Sequence, residues 1–180
     1  MTKKIKKIIA IAGLAGSGKT TAGELVAKKL NYKLISPSFK DLAKKNKVDL
    51  MEIQKRANKN FNIDKEFDKH IRKLAKKQKV VLTTWLGPWI IKGKIFRVWL
   101  EVDQKIRAQR IAKREKIKYA QALEHIKRRD KDNILRYKKI YNIDITDHNK
   151  FNLIIDANNK KPLTIANMII KEYKKFLKEG

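Results

Sequence analysis

The stretch GLAGSGKT, residues 13–20, stands directly between the apolar run of β-branched residues at Ile5, Ile8, Ile9 and Ile11 and a segment with helical spacing at Ala22, Leu25, Val26 and Leu30. Its glycines and lysine match the pattern G-x-x-x-x-G-K-[ST] through Gly13, Gly18, Lys19 and Thr20, in the strand-before, helix-after context that gives the pattern meaning. Glycines let the backbone turn its N–H groups inward around phosphate oxygens, and the following helix adds the positive end of its dipole. The expected phosphate cradle is Gly13, Ala15, Gly16, Ser17, Gly18, Lys19, Thr20 and Thr21. Lys19 would lie along the β- and γ-phosphates of a nucleoside triphosphate, and the Thr20 hydroxyl would ligate Mg²⁺.

That loop demands a strand and a helix, and the rest of the chain supplies more of both. Buried-strand patterns recur at Lys33–Ile35, Val80–Thr83, Ile95–Leu100 and Leu153–Ile155. Helical patterns fall at Gly18–Leu30, Phe39–Lys45, Asp49–Asn58, Asp64–Lys77, Gln104–Arg114, Tyr119–Ile140 and Leu163–Phe176, with Asn31 as a plausible stop for the first. Strands alternating with helices predict an α/β domain with a doubly wound parallel sheet. The second and third strands are separated by more helix than one crossover needs, as are the fourth and fifth, so two helical insertions are expected.

Composition narrows the class further. The chain has 180 residues, a length suited to one domain, and no cysteine, which excludes disulfides, thiolate zinc sites and a cysteine nucleophile. The basic start MTKKIKK leads straight into the first strand without a signal-cleavage context, and no apolar stretch is long enough to span a bilayer. A cytoplasmic monomer without membrane attachment is expected. With 46 Lys and Arg against 18 Asp and Glu, the formal charge is +28. That field attracts polyanions such as RNA, although lysines spread along the whole chain also fit a compositional bias towards Lys, Ile and Asn.

The stretches GLAGSGKTTAGELVAKKL, LISPSFKDLA, DKEFDKHIRKLAKK, VVLTTWLGPWII, VWLEVDQKIRAQRIAKRE and RRDKDNILRYKKIYNIDITD resemble the short archaeal cytidylate kinases, within the P-loop nucleoside monophosphate kinases. The resemblance implies a P-loop kinase fold with a five-stranded parallel sheet, and a core at about 1–35, 80–113 and 143–180. It implies an acceptor-binding insertion at about 36–79 and a lid at about 114–142. It also implies ATP and Mg²⁺ as cofactors, with CMP or dCMP as acceptor. Arg110, Arg114 and Arg129 would join Lys19 in carrying the developing charge, since guanidinium grips phosphate oxygens bidentately and stays ionised. Arg129, Asn133 and Arg136 share one helical stripe, which the resemblance assigns to the acceptor nucleotide's phosphate and base. Ser36 joins them on the substrate side.

Several acceptor positions depart from that family. Thr83, Thr84 and Trp85 stand where an acidic residue, a glycine and an arginine are usual. Lys40 follows Phe39 in place of an arginine, Lys69-His70 replaces an arginine-glutamine pair, and Asn133 replaces a carboxylate. Lys40 and Lys69 retain point charges for phosphate, and Trp85 or Trp89 either stacks on a base or packs in the core. These changes leave two alternatives open: an RNA-associated P-loop ATPase with a repurposed acceptor half, or a kinase for another small acceptor. The remaining candidates have simpler readings. His70, His125 and His148 show no metal-ligand spacing, Asp64 and Asp68 suit ion pairs with Lys69 or Arg72, Asp103 suits a helix N-cap, and Trp99 suits the core.

Overall fold

The structure, a computed structural model, describes residues 5–76 and 79–179. Five strands, β1 (Ile5–Ala12), β2 (Lys33–Ile35), β3 (Val80–Thr83), β4 (Lys94–Glu101) and β5 (Leu153–Asp156), form one sheet in the order β2-β3-β1-β4-β5. Every pairing is parallel, with Ile9 beside both Val81 and Phe96. The doubly wound expectation is met, and β1 is central. After β1 the chain builds β2 and β3 on one side of it and then crosses to build β4 and β5 on the other, so a crevice opens at the carboxyl ends of β1 and its neighbours. The glycine loop follows β1 at that point.

Both faces of the sheet are covered, which explains why its strands read as continuous apolar runs. Ile9, Ile11, Val98 and Leu100 face α1 (Lys19–Leu30) and α8 (Pro162–Lys178), where Val26, Ile169 and Tyr173 are buried. Ile8, Ala10, Val80 and Leu82 face the other layer, against Ile71 of α4 (Asn62–Leu74) and Tyr137 of α7 (Tyr119–Tyr141). The two extra helical regions appear as expected: α2 (Phe39–Lys45), α3 (Leu50–Lys59) and α4 lie between β2 and β3, while α6 (Gln104–Glu115) and α7 lie between β4 and β5.

Local chemistry sets the boundaries. Ser38 and Asp41 form a reciprocal capping box at α2, and Asp49 caps α3 by accepting from Glu52 N at 2.9 Å, which places Asp49 just outside its helix. Asn31 ends α1 in the left-handed region, as its residue type suggests. Asp103 holds the N-cap position of α6 without a side-chain cap bond. One element is absent from the sequence pattern: α5 (Gly87–Ile90), a single turn whose Gly87 N donates to Thr84 Oγ1 at 2.9 Å. The basic start at residues 1–4 and the Lys77 end of the fourth predicted helix lie outside the described residues. Trp99 is core as expected, and Trp89 packs edge-on against Trp99 and Phe151. His148 lies against Trp99 with its ring centroid 4.0 Å away, a packing role.

Candidate active site

The glycine loop needs its glycines. Gly16 and Gly18 have φ of 81° and 88°, and a Cβ on Gly16 would meet the Arg107 carbonyl oxygen at 2.8 Å. The loop is braced from α6. Arg107 donates through Nη1 to Ala15 O at 3.1 Å and Asp130 Oδ2 at 2.7 Å, and through Nε to Val102 O at 3.0 Å. One turn further on, Arg110 donates to Ser17 O, Ala157 O and Asn158 O, tying the loop to the segment after β5. Sequence reasoning misses Arg107 because its partner Asp130 is remote in the chain; the arginine spacing that singles out Arg110 and Arg114 carries no sign of it.

Two clefts meet at this loop. One encloses about 850 Å³ of empty volume, mouth included, beside Ser17, Gly18, Thr21, Arg110 and Lys160. The other encloses about 910 Å³ between the two helical regions, beside Ser36, Lys40, Gln54, Trp85, Arg129 and Asn133. Gly16, Lys19, Thr20 and Arg114 line both, so the clefts join where a γ-phosphate held by the loop would lie.

The junction is strongly cationic. Burial, and then repulsion from Arg129, pull the Lys19 ammonium down to about 7, with Arg114 and Arg107 adding to the repulsion and Asp130 opposing it. Arg129 Nε is buried with no hydrogen-bond partner among the described residues. Burial also pushes the Arg129 guanidinium below its ordinary range, against the attraction of Glu115 and Asp130. Glu115 bridges Lys40 and Arg114, accepting from Arg114 Nη2 at 2.8 Å. Burial alone would raise its carboxyl, but the hydrogen bonds from Lys40 and Arg114 outweigh that and hold it below the ordinary range. Cations crowded together, one with an unbonded donor, fit a polyphosphate, and the exposed Thr20 hydroxyl beside them is a suitable oxygen donor for Mg²⁺.

Most of the residues expected at the site converge on it, and two do not. Ser36 lines the second cleft while accepting from Thr83 Oγ1 at 2.6 Å. Trp85 also lines it, with Lys19 Nζ 5.4 Å from its ring centroid, so this tryptophan is placed at the junction. Lys69 is exposed and is not among the cleft residues, because α4 turns Asp64, Asp68 and Ile71 inward instead. Arg136 lies behind the wall, its Nε 2.9 Å from Asp64 Oδ2, with both side chains 2% exposed. Asp64 therefore pairs across helices with Arg136, not with Lys69 or Arg72. Asp68 accepts from Tyr141 Oη at 2.5 Å, and burial lifts its carboxyl to about 6.

The family model for the cytidylate kinase-like family matches residues 8–159. A cytidylate kinase from Sulfurisphaera tokodaii is 37% identical over 174 residues, 94% of this chain and 96% of its own length. One from Pyrobaculum islandicum is 40% identical over 154 residues, covering 84% of each chain. Among solved structures, an uncharacterised protein from Eubacterium ventriosum superposes with a TM-score of 0.70 at 22% identity, covering 95% of this chain and 99% of its own. Shikimate kinase from Acinetobacter baumannii superposes with a TM-score of 0.65 at 16% identity, covering 96% and 95%. These two show the fold. The extent of the family match and the identity to the archaeal relatives go beyond the fold: the chain belongs to the cytidylate kinase-like family.

Proposed function

We propose that this chain transfers the γ-phosphoryl group of ATP to the phosphate of CMP or dCMP, giving ADP and CDP or dCDP. The observation that supports the reading is the meeting of two clefts at Gly16, Lys19, Thr20 and Arg114, which leaves room for a donor and an acceptor phosphate on opposite sides of one cationic junction. Such chemistry is chiefly positioning and charge neutralisation. The loop N–H groups from Gly13 to Thr21 hold the donor, and Arg110 keeps them in place. Lys19, Arg114 and Arg129 stabilise charge on the transferring group. Lys40, at the mouth of the acceptor cleft, takes the acceptor phosphate in place of the family's arginine, and Trp85 walls the junction against water. Thr20 would hold Mg²⁺, which neutralises phosphate oxygens when bound.

In this reading the insertion at about 36–79 contributes Ser36, Lys40 and Gln54 to acceptor binding, and the lid at about 114–142 contributes Arg114, Arg129 and Asn133. Closure of the lid over two nucleotides suppresses transfer to water. No helix among the described residues is long and apolar enough to cross a membrane. The reading includes a monomer working in the cytoplasm, where ATP is at hand. The RNA-associated alternative rests on the net charge and on the changed acceptor positions such as Trp85, and family membership favours the kinase.

The test offers CMP, dCMP, UMP, AMP and GMP separately with ATP and Mg²⁺, and resolves the products beside a Lys19→Ala control. CDP or dCDP should form fastest, and the control should be slower by at least about a hundredfold. A wild-type protein that hydrolyses ATP without forming any diphosphate product from the acceptors contradicts the reading.

A further inference from the structure

The inner wall of the acceptor cleft carries a chain of amides whose polarity is not free. Arginine has donors and no acceptor, so the Asn133 atom 2.7 Å from Arg136 Nη2 must be Oδ1. The same oxygen receives a hydrogen bond from Gln54 Nε2 at 3.2 Å, which turns the other end of the Gln54 amide into an acceptor. Arg136 is held on two further sides: its Nε forms an ion pair with Asp64 Oδ2 at 2.9 Å and its Nη1 donates to Asn58 Oδ1 at 2.9 Å. Gln54 is 2% exposed and Asn133 3%, and both line the cleft. Gln54 Oε1 is buried with no hydrogen-bond partner among the described residues. A buried acceptor left unpaired calls for a donor, and the cleft beside it is where one can arrive.

We propose that Gln54 is the residue that selects the acceptor's base, with Oε1 accepting from the exocyclic amine of cytosine while Asn133 Nδ2 donates to the adjacent ring nitrogen. This deepens the kinase reading and rests on it for the identity of the cleft as the acceptor site. Cytosine presents a donor beside an acceptor on this edge, and uracil presents the reverse. To read uracil, both amides would have to turn over, which sets Asn133 Nδ2 against Arg136 Nη2, donor facing donor. The buried Asp64–Arg136 pair is thus a positioning device: it sets the direction of Asn133, and Asn133 sets the direction of Gln54.

The test is a cycle of equilibrium titrations by calorimetry without ATP, using wild type and Gln54→Met against CMP, UMP and the ribonucleotide of 2-pyrimidinone, which lacks the exocyclic amine. Methionine keeps the side-chain volume, and thermal melts check the fold. Wild type should bind CMP at least about tenfold more tightly than UMP, and removing the amine should cost it about as much. In Gln54→Met both differences should shrink to within about twofold, with UMP binding little changed. Where the variant fails to fold, the ligand-side deletion in wild type still tests whether the amine is read at all, and Gln54→Glu, which keeps an acceptor in nearly the same volume, takes the variant's place in the cycle. Equal binding of CMP and the pyrimidinone nucleotide by wild type overturns the proposal, as do equal amine effects in wild type and Gln54→Met, or no binding of either pyrimidine. Turnover is read separately: a base preference without CDP formation supports the role of Gln54 and counts against the kinase reading.

Discussion

Replacing Arg107 by methionine removes one member of a buried ion pair and two hydrogen bonds that hold backbone in place. The Arg107–Asp130 pair is 2.7 Å apart with side chains 4% and 8% exposed. Removing one partner strands the other charge away from water, which costs about 3–5 kcal/mol. Ala15 O and Val102 O also lose a donor, at about 1 kcal/mol each. A total of about 5–7 kcal/mol in a chain of this size corresponds to a fall in Tm of about 10–28 °C. Adding Asp130→Leu removes the stranded carboxylate, and the charge part of the loss should then largely return, leaving the carbonyls' share of about 2 kcal/mol. Urea unfolding of the single and double variants followed by circular dichroism, with thermal melts alongside, measures both numbers. A loss under about 1 kcal/mol for Arg107→Met, or a double variant no more stable than the single one, would refute the reasoning.

Other consequences concern charge at the junction. Because Lys19 is held down to about 7 in the free protein and phosphate favours its charged form, ATP binding above that pH should take up protons and weaken up to about tenfold per pH unit. Calorimetry at pH 8 in buffers of different protonation enthalpy should show uptake that Lys19→Ala lacks. Glu115→Gln frees Lys40 and Arg114 for phosphate, so KM for the nucleoside monophosphate should fall about two- to fivefold in steady-state assays, and a rise would contradict the assignment. Asp68 is raised to about 6 in the fold, chiefly by burial, so its ionisation opposes folding. Its contribution is most favourable below the ordinary carboxylate range and is lost as pH rises to about 6, by about 3 kcal/mol in all. The stability difference between Asp68→Asn and wild type should grow in the variant's favour by that order between pH 4 and pH 7.5 when measured by urea unfolding.

The sheet was legible because its strands are buried on both faces and read as apolar runs, and because the glycine loop announces the strand and helix around it. The two helical insertions followed from the length between strands. The glycine loop was equally plain, since its residues are contiguous and its shape is backbone geometry. The second cleft was harder because its residues come from separate elements and depend on which face of each helix turns inward. Lys69 looked suitable by charge, yet α4 gives its inner face to Asp64 and Asp68, leaving the lysine in solvent. Arg136 was singled out for the acceptor's phosphate as part of a stripe, whereas it lies behind the cleft wall against Asp64, a contact across 72 positions of chain that no local spacing reveals. Gln54 gave no signal at all: a lone glutamine on a basic helix acquires meaning only beside Asn133. The turn α5 was too short for periodicity to detect.

The fate of the phosphoryl group itself decides between transfer and hydrolysis. The protein is mixed with ATP labelled at the γ-phosphate, Mg²⁺ and CMP, and the labelled products are separated at times within a single turnover. Label should leave ATP and appear in the β-phosphate of CDP, with little in inorganic phosphate. Label accumulating in inorganic phosphate while CMP stays unchanged would contradict the kinase reading, because the two clefts would then not deliver donor and acceptor to one another.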